Sequence, residues 1–482
     1  MAEESGVRGC MVIRPWGYGI WERIQALLDA RIKATGHENC YFPIFIPLSY
    51  FEKEAEHVDG FAKEMAVVTH HRLISDGQGR LVPDPSAKLE EPLVVRPTSE
   101  TVIGAAMARW VQSWRDLPVL INQWANVVRW EMRTRMFLRT SEFLWQEGHT
   151  AHATRDEALE ETLKMLEVYR EFSETCLAMP VIAGEKPEHE RFPGAEATYS
   201  IEAMMQDGKA LQAGTSHMLG QTFSKAQGIK FQDREGAYAH AWTSSWGVST
   251  RLIGGVIMTH GDDDGLRLPP VIAPQQIVIV PMLREAPEDE ALLGYCREIV
   301  ASLKHVTAFG EPVRVLLDAK AIKASTKRWN WVKKGAPLIV EVGGRDMAAG
   351  NVSVIRRNAL YGEGGKLASV TMACADFVAA VPSQLEAIQA SLFEEARSRR
   401  DAAIKQVSSF GEIEAHFTGN DDDVVGWVET AWSRPTGATL DDVVRRLKSL
   451  KLTVRNAPIK QRVASGLCVF TGDEAVEQIY IG

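Results

Sequence analysis

Apolar positions recur at helical spacing in several stretches of the chain. Between residues 16 and 35 they fall at positions 20, 21, 24, 27, 28 and 32, which predicts an amphipathic helix with one buried face. Residues 155–178 show the same kind of spacing. A longer and more polar helix is predicted over residues 383–405.

Shorter apolar runs between these helices predict strands. The run "CYFPIFIPL" contains Pro43 and Pro47, and proline restricts a strand to an edge or an interface. The run "EPLVVRPTSE" predicts a strand that turns at Pro97, followed by a helix capped by Thr98 or Ser99. Further strand patterns cover residues 121–132, 137–148, 195–223 and 238–259. Strands mixed with helices in this way predict an α+β fold with an antiparallel sheet.

The pattern changes after the proline-rich segment "RLPPVIAP", which reads as a linker. Predicted strands over residues 275–282, 313–318 and 337–343 alternate with predicted helices over residues 288–303 and 322–334. Regular alternation of this kind predicts a small α/β domain with parallel pairing. We therefore divide the chain into residues 1–272, residues 273–382, and a linker helix with a C-terminal domain over residues 383–482.

Composition narrows the class of protein. The 482 residues carry a formal net charge of -9, which argues against a protein that coats nucleic acid without specificity. The basic run over residues 445–462 is either a solvated helix face or a local basic surface. The six cysteines include no C-x-x-C pair, which favours reduced thiols in the cytoplasm. We expect no membrane span, because no window approaches the roughly 20 apolar residues that one needs.

The stretch "VVRWEMRTRMFLRTSEFLWQEGH", residues 127–149, places many opposed charges beside large aromatic rings. In one interpretation the arginines pair with the neighbouring glutamates on a surface hairpin. In the other, the stretch binds a ligand that is both anionic and aromatic, because arginine offers a planar, permanently charged fork for phosphate oxygens. The stretch by itself leaves both interpretations open.

Several motifs, in order, resemble those of prolyl-tRNA synthetases, which are class II aminoacyl-tRNA synthetases. The second class II motif is matched by Arg129-Trp130-Glu131, a loop, and Arg139 followed by Phe143. "SSWGVSTRLIGG" around Arg251 is similar to the third motif, and the helix leading into "YFPIFIP" is similar to the first. "RPTSE", "QAGTSH" and "HGDDDGLRLPP" extend the match. The resemblance implies a class II catalytic domain over residues 1–272 and an anticodon-binding domain over residues 273–382.

The resemblance assigns residues to ATP. It places Arg129 at the α-phosphate and the substrate carboxylate, and Arg139 and Arg251 at the outer phosphates. Phe143 and Arg251 would enclose adenine, and Glu131 would accept a hydrogen bond from the adenine amino group. Arg129, Glu131 and Arg251 are the catalytic candidates. The ATP-binding candidates are Arg129, Glu131, Arg139, Phe143, Gln212, Thr215 and Arg251.

It also assigns residues to proline and tRNA. Proline is a secondary amine, so its charged nitrogen needs an acidic partner and its ring needs an apolar wall. The proline-binding candidates are Phe61, Thr98, Glu100, Arg129, Trp145, Glu147, His149 and Ser249. His217 is the candidate for the tRNA 3′ end and Arg345 for the anticodon. The resemblance further implies ATP with Mg²⁺, and L-proline and proline tRNA as partners.

Departures from the family pattern carry further expectations. The short spacing from His149 to the third motif is similar to the archaeal- and eukaryotic-type branch, which lacks the editing insertion. Lys63 stands in "FAKE" where the family has a different tetrapeptide, and Val332 replaces a glutamate, which predicts a weakened anticodon contact. The C-terminal region lacks the cysteine set that binds zinc in some relatives, so we expect no structural zinc. Residues 16–47 resemble the dimer motif, so we expect a homodimer.

Three functions remain open on these residues. The first is a working prolyl-tRNA synthetase. The second is a paralogue that keeps prolyl or proline-analogue adenylation but serves another acceptor, or a resistance or biosynthetic role. The third is a tRNA-binding or scaffold protein without catalysis, which the complete ATP-binding set disfavours.

Overall fold

An eight-stranded sheet forms the centre of the first half of the chain in the computed structural model, which describes residues 1–52, 64–418, 425–461 and 466–482. Neighbouring strands are antiparallel except for the outermost pair, where Glu38–Asn39 runs parallel to Val119–Val128. The strands in spatial order are Ala457–Pro458, Val181–Glu185, Ala197–Met204, Ala210–Gly220, Trp242–Ser249, Glu142–His152, Val119–Val128 and Glu38–Asn39. The expected α+β fold class is confirmed.

Two long amphipathic helices pack on one face of this sheet. They are Pro15–Ala34, which begins with proline at its first position, and Arg155–Thr175, whose cap Thr154 accepts from the backbone of Glu157. Their apolar stripes join one core with residues of the sheet. The Tyr169 hydroxyl hydrogen-bonds the Gln146 side chain, so the helices cover the face to which Gln146 points. Residues 145, 147 and 149 therefore face the opposite side.

Smaller elements surround the sheet. The strand Phe45–Pro47 lies at the edge of a three-stranded sheet, as its prolines predicted, beside Lys88–Val95. The third strand of that sheet is Val67–His70. The other helices among the described residues of this half are Leu48–Glu52, Glu100–Trp110, Thr222–Gln227 and Arg251–His260. The remaining strands form hairpins, which are Ala2–Glu4 with Met11–Ile13, Leu73–Ser75 with Leu81–Pro83, and Lys230–Gln232 with Tyr238–His240.

The two strands predicted over residues 121–132 and 137–148 have different bounds. They are Val119–Val128 and Glu142–His152, and residues 129–141 form a loop between them. The N-terminal segment packs on this loop, since the Ser141 backbone N–H donates to the Gly9 carbonyl. The Ser141 N–H is therefore not available to the neighbouring strand, although the Ser141 carbonyl still accepts from the Arg129 N–H. The contact with Gly9 explains why the strand predicted from residue 137 begins only at Glu142.

The strand pattern over residues 238–259 was wrong in its second half. The strand Trp242–Ser249 ends there, and Arg251–His260 is a helix. A short apolar run does not distinguish a buried strand from a buried helix. Gly254 and Gly255 let this helix lie close to Leu138 and Met179.

The predicted α/β domain contains a five-stranded sheet. Its strands in spatial order are Val315–Leu317, Ile277–Pro281, Leu338–Val342, Asn351–Arg356 and Val370–Ala373. The first three are parallel, as predicted, and the last two add antiparallel. A small hairpin joins Thr307–Ala308 to Glu311–Pro312. Its helices are Asp289–Leu303, Ala324–Lys334, Gly344–Ala349 and Cys374–Ala402.

The long helix predicted over residues 383–405 begins earlier, at Cys374, and contains Pro382 in its interior. Proline removes one helical hydrogen bond and normally ends a helix. Here Phe377, Val381 and Leu385 are buried on both sides of the proline as one continuous stripe. Packing of this stripe against the sheet holds the helix together across Pro382.

The C-terminal region returns to the first half of the chain. Its three-stranded sheet consists of Ile404–Gln406, Trp427–Trp432 and Glu477–Ile481, with helices Phe410–Phe417 and Gly437–Ser449. The segment Ala457–Pro458 then pairs with Val181–Glu185 and becomes the edge strand of the eight-stranded sheet. Nothing in the strand pattern of residues 457–458 predicts this pairing, because it depends on the edge that the sheet leaves open.

Within the parts of the chain that the structure describes, no helix has the combination of length and apolar character needed to cross a bilayer.

Candidate active site

The open face of the eight-stranded sheet presents rows of side chains that the register aligns. Trp145, Glu147 and His149 alternate along one strand and share this face. His149 lies opposite Ser245, which lies opposite His217, which lies opposite Thr198. One row of the sheet therefore carries a hydroxyl, an imidazole, a hydroxyl and a second imidazole from four different strands.

A β-bulge brings Gln212 to the same face. Thr215 and His217 alternate regularly, but Gln212 is three residues from Thr215 and falls out of phase with a period of two. The pairing shifts between Ile201 and Glu202, so that Glu202 faces Gln212 and Ala213 is the extra residue. A bulge of this kind re-aims a side chain next to it.

A cavity of about 280 Å³ lies over these rows, close to the lower end of the roughly 300–1,000 Å³ typical of small-molecule sites. Most of the candidate site residues predicted from the sequence line this cavity, although they are far apart along the chain. Those that line it are Thr98, Glu100, Arg129, Phe143, Trp145, Glu147, His149, Gln212, Thr215, His217, Ser249 and Arg251.

Other candidates are placed elsewhere. Glu131 and Arg139 do not line the cavity, and they pair with each other at 2.7 Å in the loop over residues 129–141. Arg345 is exposed at the start of the helix Gly344–Ala349, far along the chain from the cavity residues. Phe61 and Lys63 lie outside the described residues.

Glu147 and His149 form a buried pair at the floor of the cavity. His149 Nε2 lies 3.0 Å from Glu147 Oε2, and both side chains are less than a tenth exposed. Burial opposes the charge of Glu147, but the hydrogen bond and charge of His149, with hydrogen bonds from Ser99 and Gln123, lower its pKa. Burial likewise opposes the charge of His149, but Glu147 and then Glu100 raise the pKa of His149. The two residues therefore form an ion pair of imidazolium and carboxylate.

The start of the helix Glu100–Trp110 supplies the adjacent wall. Ser99 occupies the predicted cap position, but its hydroxyl makes no cap hydrogen bond and donates instead to Glu147. The Thr98 hydroxyl donates to Glu100, the first helical residue. The sequence predicted a capping role for these hydroxyls, and the structure uses them to hold two carboxylates at the cavity.

Two arginines provide positive charge at the other end. Arg129 Nε donates to the Pro97 carbonyl at 2.8 Å, and its guanidinium lies 5.3 Å from the centre of the Trp145 ring. Arg251 Nε donates to the Leu138 carbonyl at 3.1 Å. Burial lowers the pKa of both groups, yet arginine stays charged because its ordinary pKa is above 12. Two positive charges in one cavity favour an anionic ligand.

Sequence reasoning missed several residues of the site. Ser245 and Trp246 line the cavity from the third motif, and Ser245 Oγ is buried without a hydrogen-bond partner among the described residues. The alternation that ends at Ser249 could have indicated Ser245. The loop carrying Arg191 and Phe192 also lines the cavity, and no pattern in its sequence indicates this.

Val332 occupies a position that the sequence did not reveal. It is fully buried in the core of the α/β domain, beside Val280 and Ile339. A carboxylate at residue 332 would lie in that core and not on the surface. The expectation that Val332 marks a weakened anticodon contact is therefore not supported by its position.

The described residues contain no group of three or more His, Cys, Asp and Glu side chains that could hold a metal ion. The cavity instead combines carboxylates, a buried ion pair, an aromatic wall and arginines. Such a site can bind an amino acid by its ammonium group and ring. It can also place the carboxylate of that amino acid beside cations that attract phosphate.

Comparison with known proteins agrees with this geometry. The family described as tRNA synthetase class II core domain (G, H, P, S and T) matches residues 85–260, and the family described as anticodon binding domain matches residues 276–384. A proline–tRNA ligase of Sphingomonas elodea is 72% identical over 484 residues, covering 100% of this chain and 94% of that protein. The proline–tRNA ligase of Sphingopyxis alaskensis is 70% identical, and the match covers 100% of this chain and 91% of that protein.

Solved structures give the same result. Prolyl-tRNA synthetase from Cryptosporidium parvum, complexed with halofuginone and AMPPNP, superposes with a TM-score of 0.89 at 35% identity. The same enzyme with L-proline and AMP gives a TM-score of 0.88, and both comparisons cover 100% of this chain and 92% of the other. The chain therefore belongs to the proline–tRNA ligase family of class II aminoacyl-tRNA synthetases.

Proposed function

We propose that this chain activates L-proline with ATP to prolyl-adenylate and transfers the prolyl group to the 3′ end of proline tRNA. The observation that carries the proposal is the juxtaposition in one cavity of Glu100, the Glu147–His149 pair and Trp145 with the two cations Arg129 and Arg251. The curated relatives named above are proline–tRNA ligases. They give no support to a paralogue with another acceptor or to a scaffold role.

Proline would lie against Trp145, with its ammonium group near Glu100. The Glu147–His149 pair forms the floor and keeps the net charge there near zero, so Glu100 is the carboxylate that attracts the substrate ammonium. Ser249 lies opposite Trp145 in the sheet and closes the same end. Phe61, which is outside the described residues, completes the set that the resemblance assigned.

ATP would lie along the arginines. Arg129 and Arg251 would hold phosphate oxygens, and the Phe143 and Arg251 side chains would enclose adenine, with Gln212 and Thr215 near the α-phosphate. The proline carboxylate attacks the α-phosphorus in line and pyrophosphate leaves. The role of the protein is positioning and offset of the developing negative charge. Glu131 and Arg139 would join the site by exchanging their mutual ion pair for contacts with ATP.

We assign Mg²⁺ to this reaction as an ion that enters with ATP, because Mg²⁺ is bound largely by substrate phosphates and water. It would offset phosphate charge. The described residues contain no three-ligand cluster, so we derive no step through the ion and assign it no protein ligands.

The domain division supports tRNA charging. We propose a catalytic domain over residues 1–272, an anticodon-binding domain over residues 273–382, and a linker helix with a C-terminal domain over residues 383–482. The family matches over residues 85–260 and 276–384 support the first two, although the helix Cys374–Ala402 crosses the second boundary. Arg345, exposed in the second domain, is our candidate for an anticodon contact.

We further propose the branch without an editing insertion, acting in the cytoplasm. Residues 153–241 are fully described, and they build the helix Arg155–Thr175, strands of the catalytic sheet and short connections. This supports the absence of a separate domain between His149 and Arg251. Reduced cysteines, which the structure leaves unpaired as thiols, support the compartment.

The function is tested by ATP–pyrophosphate exchange with each amino acid, followed by charging of proline tRNA. We expect exchange that depends on L-proline and charging of proline tRNA alone. Exchange with a different amino acid and none with proline would contradict the proposal. Exchange with proline but no charging of any tRNA would favour the paralogue instead.

We also predict a homodimer through the region of residues 16–47. Phe45 is 47% exposed and Tyr41 is 77% exposed, next to an edge strand with open hydrogen-bonding groups. A twofold interface would cover them. Sedimentation should give twice the chain mass of 53.4 kDa at micromolar concentration, and Phe45→Glu should shift the protein towards monomer. A single-chain mass for the unchanged protein would contradict this.

A further inference from the structure

Thr198 and His217 are direct cross-strand partners at the edge of the cavity. Residues in this relation point to the same face with their side chains in contact. Thr198 Oγ1 lies 3.0 Å from His217 Nδ1, and the Phe192 backbone N–H donates to the same hydroxyl oxygen at 2.9 Å. Thr198 is 3% exposed, so water does not compete for these hydrogen bonds.

The hydrogen-bond count decides which atom is the donor. A threonine hydroxyl has one proton and two acceptor sites. The oxygen of Thr198 already accepts from Phe192, and among the described residues its proton has no acceptor other than His217 Nδ1. A buried hydroxyl without an acceptor costs free energy. The hydroxyl of Thr198 therefore donates, and His217 Nδ1 accepts.

The charge state of His217 follows from its surroundings. Burial, with the charges of His149 and Arg129, lowers the pKa of His217 to about 3. Phe192 covers the ring at 4.8 Å between ring centres. The imidazole is neutral at physiological pH and carries a single N–H. Because Nδ1 accepts from Thr198, that N–H is at Nε2.

We propose that Thr198 is a positioning residue that fixes His217 as the Nε2–H tautomer, so that His217 donates a hydrogen bond in the transfer step and takes no proton. The inference rests on the proposed function and on the placement of His217 at the tRNA 3′ end. A hydroxyl oxygen of the terminal ribose forms the ester bond to the prolyl carbonyl carbon. The bond from that carbon to the phosphate oxygen breaks, and the hydroxyl proton passes to an oxygen of the departing AMP phosphate. His217 orients the ribose throughout.

The test compares two reactions in the full-length protein with Thr198→Val and Thr198→Ser. Valine has nearly the shape of threonine but no hydroxyl. We expect pyrophosphate exchange in Thr198→Val to stay within about twofold of the unchanged protein, and single-turnover transfer from preformed prolyl-adenylate to tRNA to fall about tenfold, as for the loss of one oriented hydrogen bond. Serine keeps the hydroxyl and should restore transfer.

Variants of His217 distinguish a role as hydrogen-bond donor from a role as general base. Glutamine carries an amide N–H near the position of Nε2 but cannot take a proton, so His217→Gln should retain much more transfer activity than His217→Ala. Equal inactivity of the two variants would overturn the donor role. Normal transfer in Thr198→Val, or equal losses of exchange and transfer, would overturn the positioning role. Absence of proline-dependent exchange in the unchanged protein would instead contradict the proposed function.

Discussion

Arg129→Ala is expected to reduce proline-dependent pyrophosphate exchange by roughly two to three orders of magnitude, the usual effect of removing one preorganised charge contact from a transition state. Arg129 is partly buried near the charges of Glu100, Glu147 and Arg251, and its guanidinium lies over the Trp145 ring. In the proposed arrangement it would contact both the proline carboxylate and the phosphate. Alanine would remove that contact and leave the anions of both substrates to repel each other.

Two further variants make the Arg129 prediction specific. Arg129→Lys keeps the charge but loses the planar fork, so we expect an intermediate rate. Arg109→Ala removes an exposed arginine from the same half of the chain, and it should leave exchange unchanged. Near-normal exchange in Arg129→Ala, with unfolding temperatures equal in all variants, would contradict the assigned role.

Glu147→Gln is expected to destabilise the catalytic domain by roughly 3 kcal/mol, because removing one partner of a buried ion pair leaves the other charge uncompensated. The loss should depend on pH. The lowered pKa of Glu147 stabilises the fold above about pH 4.3, and this contribution is lost as pH falls through the lowered value. The raised pKa of His149 stabilises the fold below about pH 6.5, and this contribution is lost as pH rises through the raised value.

The difference in unfolding midpoint between the unchanged protein and Glu147→Gln should therefore be largest between about pH 4.5 and 6.5 and shrink on either side. Thermal or urea unfolding monitored within that range and on both sides of it measures the difference. Glu290→Gln is the matched control, because Glu290 pairs with Arg297 on an exposed surface, where such pairs contribute little. A difference that does not change with pH would show that Glu147 and His149 are not ionised as a pair.

The helix Pro15–Ala34 and the α/β domain followed from the pattern of apolar residues, because that pattern shows directly which of their residues are buried. The stripe of Ile20, Ile24 and Leu28 marks the helix Pro15–Ala34 within one residue of the prediction. The parallel strands Ile277–Pro281 and Leu338–Val342 are buried on both sides, so they read as continuous apolar runs. Local pattern is sufficient where the residues of one element are enough to show how that element is buried.

Local pattern was insufficient where the structure of a segment depends on contacts with residues that are distant in the sequence. The loop over residues 129–141 was extended as strand because its contact with Gly9 is tertiary. The helix Arg251–His260 was taken for a strand because a short apolar run does not distinguish a buried strand from a buried helix. The helix Cys374–Ala402 continues through Pro382 because its buried stripe packs against a sheet that the helix sequence does not specify.

The sequence by itself determined which chemical groups the site contains, since the motifs carrying Arg129, Glu147 and Arg251 indicate the family and its type of reaction. Only the tertiary structure decided how those groups act together. Strand register sets Thr198 against His217, and a bulge turns Gln212 into the cavity. Protonation states and tautomers depend on burial and on hydrogen-bond partners from other strands. Such interactions exist only after the chain has folded, so no reading of spacing along one strand could supply them.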